Sequence, residues 1–74
     1  MIICNQDKTI SVERNETDNF MTFPAIYQGY VFGINLFLQR KLNLIMLGTF
    51  DTVQLAIDEI ENIKNCEEDV YFIG

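Results

Sequence analysis

The sequence contains no histidine and no tryptophan, one serine, and only two cysteines. Without histidine, neither a Ser-His nor a Cys-His nucleophile can be built, and Ser11 lies in a predicted strand. Cys4 and Cys66 are far apart in the chain and lack a C-x-x-C context, so neither a zinc site nor a reactive thiol is indicated. The four glycines are dispersed, with no G-x-G-x-x-G and no P-loop lysine motif. These absences predict a protein that is not an enzyme and that holds no metal or cofactor.

Basic residues are also scarce, with five lysines and arginines against eleven acids and a net charge of −6. Residues 1–50 are balanced, whereas residues 51–74 carry seven acids and one base, Lys64. A surface of this sign repels phosphate backbones, so we expect no direct binding to nucleic acid. The longest apolar run, 30–38, is far shorter than the ~20 residues of a membrane-spanning helix, so we expect no membrane association.

No secretion signal is evident, because the chain starts at Met1 without a charged segment or a cleavable apolar one. This favours a cytoplasmic location. A Cys4–Cys66 disulfide is conceivable, but the reducing cytosol argues against it. The 74 residues predict a single α+β domain over 1–74, since there is no room for a second core. A core of this size usually leaves only ~3–5 kcal/mol of net stability, which oligomerisation can raise.

One helix is predicted at about 52–64, after an apolar strand and a glycine corner. Asp51 fits its N-cap, and Gln54, three residues later, would complete a capping box. The apolar positions then share one narrow arc of the helix: Val53, Ala56, Ile57, Ile60 and Ile63. Leu55 lies outside this arc, either as a staple against Phe50 or as a partner contact. The helix should therefore bury one face against a sheet.

Alternating and continuous apolar runs predict a small antiparallel sheet of about five to six strands. The order is β-β-(β)-β-β-α-β. Pro24 cannot donate to a ladder, so it indicates an edge position or the start of a strand, and we interpret the third strand as a short edge strand. Gln39 to Lys41 are interpreted as the turn between the fourth and fifth strands. The predicted strands are Met1–Cys4, Thr9–Val12, Ala25–Tyr27, Tyr30–Leu38, Leu42–Leu47 and Val70–Ile73.

A single helix can cover only one face of such a sheet, which leaves the second face apolar. Exposed apolar patches on small proteins usually mark interfaces. We therefore expect a homodimer formed sheet against sheet or by exchange of the terminal strand, unless the sheet curls to close that face. The candidate self-association residues are Val31, Phe37, Ile45 and Leu47.

A second candidate surface is acidic. Six acids fall on the helix and the connector after it: Asp58, Glu59, Glu61, Glu67, Glu68 and Asp69. Such a stripe is most often a solubilising surface. The alternative is a surface that a basic protein partner recognises in place of nucleic-acid phosphates.

The opening MIICNQDK, the LGTFDT corner and the closing VYFIG resemble small uncharacterised proteins of Gram-positive bacteria and their phages or prophages. Those proteins share an M-I-I-x-N-Q-D start and an L-G-x-[FY]-[DE]-T turn into a helix. The resemblance covers most of the chain, although 20–27 departs from it, and it implies no activity and no functional residue. Together with the acidic stripe, it leaves two hypotheses open: a self-associating interaction module, or an inhibitor of a host nucleic-acid-binding protein.

Overall fold

The computed structural model describes all 74 residues as six strands and one helix. The element order confirms the predicted α+β class and chain order. The elements are β1 (Ile2–Cys4), β2 (Ser11–Glu13), β3 (Asn19–Tyr27), β4 (Tyr30–Arg40), β5 (Asn43–Phe50), α1 (Val53–Asn65) and β6 (Val70–Phe72).

The strands form two three-stranded sheets instead of the single antiparallel sheet that we expected. β3, β4 and β5 make an antiparallel meander, which we call the long sheet, while the short sheet has the order β2-β1-β6. β1 pairs antiparallel with β2 and parallel with β6. The parallel pair is possible because the connection through the long sheet and α1 supplies the crossover that parallel strands need.

The core lies between the long sheet on one side and α1 with the short sheet on the other. Its buried side chains come from five of these elements or their ends: Ile3, Leu36, Leu38, Leu47, Ile63 and Ile73. Only eleven of the 74 residues are buried. Because so few side chains are fully removed from water, the loss of one of them should cost a large share of the stability.

The helix lies where the apolar pattern predicted it, but its N-terminus is built differently. Thr52, not Asp51, is the N-cap, and its hydroxyl accepts a hydrogen bond from the Leu55 amide at 3.2 Å. The predicted capping box is absent, since the Gln54 amide donates to Asp58 instead. A threonine next to an aspartate offers two candidate caps, and the pattern alone does not separate them.

The buried face of α1 is narrower than predicted. Ala56 and Ile63 are fully buried and Ile60 packs against the core, but Val53 and Ile57 are more than two-fifths exposed. The helix therefore packs on the core through a narrow stripe of Ala56, Ile60 and Ile63.

Two hairpin turns set the register of the long sheet. The β3–β4 turn is Gln28-Gly29, and both residues have positive φ (49° and 80°), as a type I′ turn requires. The β4–β5 turn is Lys41-Leu42, which pairs Arg40 with Asn43. β3 is an edge strand, as Pro24 predicted, but it is nine residues long rather than three.

Candidate interaction surface

The face of the long sheet that points away from the core combines apolar with uncharged polar side chains and is partly open. Met21, Phe37 and Met46 lie side by side across its three strands. Phe37 lies between the buried Leu36 and Leu38, so its side chain points to the opposite face. The same alternation places Phe23 on this face, and its ring meets that of Phe37 edge to face, with 5.6 Å between centroids.

We call this surface the outer face and define it by nine positions in three cross-strand rows: Asn19, Gln39, Leu44; Met21, Phe37, Met46; Phe23, Asn35, Thr49. None of the nine is charged, although sixteen of the 74 residues are. Phe23, Leu44 and Met46 are 39–49% exposed. Depletion of charge with enrichment of aromatic residues and methionine is typical of the centre of a protein interface.

The predicted self-association residues divide between the two faces. Phe37 lies on the outer face, as predicted, and Val31 is exposed near the β3–β4 turn. The prediction was wrong for Ile45 and Leu47. Ile45 is paired with Leu38 and packs against the core, and Leu47 is itself a buried core residue.

The error has a physical cause in the β4–β5 turn. The sequence suggested a turn at 39–41, whereas the structure turns at Lys41-Leu42. A shift of one residue in register exchanges the faces of every side chain on one strand relative to the other. A bulge in β5 then displaces the register once more, between the Phe37–Met46 and Leu36–Gly48 pairs.

The end of the β3–β4 hairpin carries a second exposed apolar surface, which we call the tip. Its five large side chains are 61–78% exposed: Ile26, Tyr27, Tyr30, Val31 and Phe32. Tyr27, Gln28, Tyr30 and Phe32 line a shallow cleft of about 380 Å³ there. Tyr30 and Phe32 are exposed although Leu36 and Leu38 on the same strand are fully buried, because β4 extends beyond the layer that covers its other half.

Sequence reasoning missed most of both surfaces, yet a signal for them was present. Residues 19–39, which make up nearly all of the β3–β4 hairpin, contain no charged residue. A 21-residue uncharged stretch in so acidic a chain sets the hairpin apart from the rest of the surface.

Five of the six predicted acidic residues are exposed: Asp58, Glu61, Glu67, Glu68 and Asp69. None of them forms an ion pair. Glu59 is different, because its Oε1 accepts hydrogen bonds from the Tyr71 hydroxyl at 2.8 Å and from the Gly74 amide at 3.3 Å. Burial and the adjacent Glu59 carboxylate raise the pKa of Tyr71 to about 12. Glu59 thus ties α1 to the C-terminal strand and belongs to the structure, not to a free acidic surface.

The only ion pair of the chain joins Asp18 and Arg40, with 2.8 Å between Nη2 and Oδ2. Arg40 also donates to the backbone carbonyl of Glu13, so one guanidinium links β4 to the end of β2 and to the loop before β3. Its hydrogen bonds hold the pKa of the Asp18 carboxyl below the usual range. This contact is structural as well.

The remaining observations concern metal ligands, thiols, membrane crossing and similarity to known proteins. No three carboxylate or thiol side chains converge into a metal-binding group, and Cys4 and Cys66 are free thiols. None of the helical structure has the length and apolar character needed to cross a bilayer as a helix. Comparison with protein-family models, with curated proteins and with solved structures finds no match to this chain.

Proposed function

We propose that this chain is a non-enzymatic protein–protein interaction module that self-associates through the outer face of its long sheet. The observation that carries the proposal is the composition of that face, whose nine positions include Phe23, Phe37, Leu44 and Met46 and no charge. Burying the apolar area of such a half-exposed face in a dimer stabilises the dimer by roughly 25 cal/mol per Å² removed from water.

The acidic C-terminal third of the chain does not oppose this association. The surplus of acids lies in residues 51–74, on α1 and the connector after it, and α1 packs on the other side of the long sheet. Two copies that meet through their outer faces therefore keep their negative surfaces apart. The two free thiols fit a reducing cytoplasm, which we propose as the compartment.

The test is the oligomeric state of charge variants, measured by sedimentation velocity from about 1 to 100 µM. Leu44→Lys places an ammonium in the outer face, and we expect it to abolish dimers that the wild-type chain forms. Leu55→Lys on α1 is the matched control, because Leu55 is 47% exposed against 49% for Leu44. A wild-type chain that stays monomeric throughout, or a Leu55→Lys variant that loses the dimer equally, would refute the proposal.

A second candidate function is an inhibitor, encoded by a phage or mobile element, that blocks a host nucleic-acid-binding protein. The exposed acids Asp58, Glu61, Glu67 and Glu68 favour it, since none of them forms an ion pair within the chain and their charge is available to a basic partner. Capture of a basic nucleic-acid-binding protein should then weaken with added salt and disappear when these four residues are reversed to lysine. Capture that survives the reversal would exclude this function.

A further inference from the structure

The outer face alone is small for a stable dimer. Its three strands are about 14 Å across and its five residues of length span about 17 Å, which gives about 240 Å² per copy in plan. Specific interfaces of standard size bury about 800 Å² per partner. A dimer that used only this face would be weak.

The tip supplies the missing area. Three of its side chains are aromatic (Tyr27, Tyr30 and Phe32), and they are 61–78% exposed. A buried aromatic residue removes about 150–250 Å² from water, so these three offer on the order of 400 Å². Outer face and tip together therefore approach the area of a standard interface.

Association through the strand edges is obstructed on both sides of the long sheet. On the β3 edge, Pro24 has no N–H to donate to a further strand. On the β5 edge, the Gln6 side chain accepts from the Thr49 amide at 2.9 Å and donates to the Thr49 carbonyl at 3.1 Å. The Gln6 backbone amide also donates to the Leu47 carbonyl at 2.7 Å. Each edge of the long sheet thus carries a feature that interrupts pairing with a further strand, whereas its outer face carries none.

From these observations we infer that two copies pack as an antiparallel two-fold pair, in which the tip of each copy lies on the outer face of the other. The inference rests on the self-association proposed above and specifies its geometry. The large side chains of the tip are 61–78% exposed, and Phe23, Leu44 and Met46 on the outer face are 39–49% exposed, so placing one surface on the other removes both from water in a single contact. A tip-to-tip pair would bury the tip alone and leave the two outer faces in water.

A charge-exchange experiment tests this geometry. Tyr30→Glu places a carboxylate in the tip, and Leu44→Lys places an ammonium in the outer face; both side chains are exposed, so the fold should tolerate each change. Each variant alone should dimerise at least ~100-fold more weakly than the wild-type chain, because its charge is buried without a partner. An equimolar mixture of the two should recover heterodimers to within about tenfold of the wild-type affinity, because the carboxylate then meets the ammonium.

The control mixture is Tyr30→Glu with Tyr30→Lys, which would recover dimers only if tip meets tip. Affinities are measured by sedimentation equilibrium, and far-UV circular dichroism verifies that every variant is folded. Recovery in the first mixture and not in the second supports the inference. Recovery in the second mixture alone, or in neither mixture, overturns the inference. If the wild-type chain still dimerises in that case, the proposed function stands. A monomeric wild-type chain overturns both.

Discussion

Replacing Leu47 by alanine should unfold much of this protein, whereas the same change at Leu44, three residues earlier in β5, should leave it folded. Leu47 is 1% exposed and packs in the core with Leu36, Leu38 and Ile63, while Leu44 is 49% exposed on the outer face. Truncation of a buried leucine costs about 2–5 kcal/mol through lost burial and the cavity left behind. A domain of this size has only ~3–5 kcal/mol in total, so Leu47→Ala removes most of it.

The expected cost at Leu44 is much smaller. Half of its side chain is already in water, so alanine forfeits about 1 kcal/mol or less of apolar burial. The assay is urea denaturation followed by far-UV circular dichroism, since the chain has no tryptophan for fluorescence. Measurement at low micromolar concentration limits the contribution of any dimer. Equal costs at the two positions, or a larger cost at Leu44, would refute the register described for β4 and β5.

Three further predictions concern contacts within the fold. Gln28→Asn should raise the free energy of unfolding by about 0.5–1 kcal/mol in urea melts, because asparagine tolerates the left-handed backbone of a type I′ turn better than glutamine does; no gain would contradict the turn assignment. Asp18→Asn should cost about 1–3 kcal/mol at pH 7 by weakening the hydrogen bonds from Arg40. The pKa of Asp18 is lowered on folding, so its ionised form stabilises the fold above the unfolded pKa of about 3.9, and this contribution is lost as pH falls through the lowered pKa. The acid-induced loss of stability should therefore be shallower in Asp18→Asn than in the wild-type chain, and an identical pH profile would count against the pair. Ultraviolet titration should show Tyr71 ionising with a pKa of about 12, and Glu59→Gln should lower that pKa. Because the pKa of Tyr71 is raised on folding, the neutral phenol stabilises the fold below pH 10. This stabilisation is lost between about pH 10 and 12. An unchanged titration in Glu59→Gln would show that the carboxylate does not contribute.

The sequence predicted local structure well wherever one periodicity dominated. The apolar arc placed α1 within one residue of its observed bounds, and Pro24 correctly restricted β3 to an edge. Both depend on interactions within a single element, such as the helical repeat or a missing N–H. The same local logic chose Asp51 as the N-cap and was wrong, because Thr52 holds that position.

Relations between elements were predicted less well. Which face of β5 carries Ile45 and Leu47 depends on the length of the β4–β5 turn, and neither Gln39 to Lys41 nor Lys41-Leu42 carries a strong turn signal such as Asn-Gly. The division into two sheets and the parallel pairing of β1 with β6 depend on contacts between the two ends of the chain. Periodicity within a segment contains no information on such long-range pairing.

The amide of Gln6 occupies the place that a fourth strand would take beside β5. It bonds to both backbone groups of Thr49 and also to the carbonyl of Gly74, and a side chain at Gly48 would press against it at 3.0 Å. This side chain therefore ends the hydrogen-bond ladder at β5. An unpaired edge at this place would offer backbone groups for cross-β stacking of further copies. The N-terminal segment of the chain thus covers part of the edge of its own long sheet.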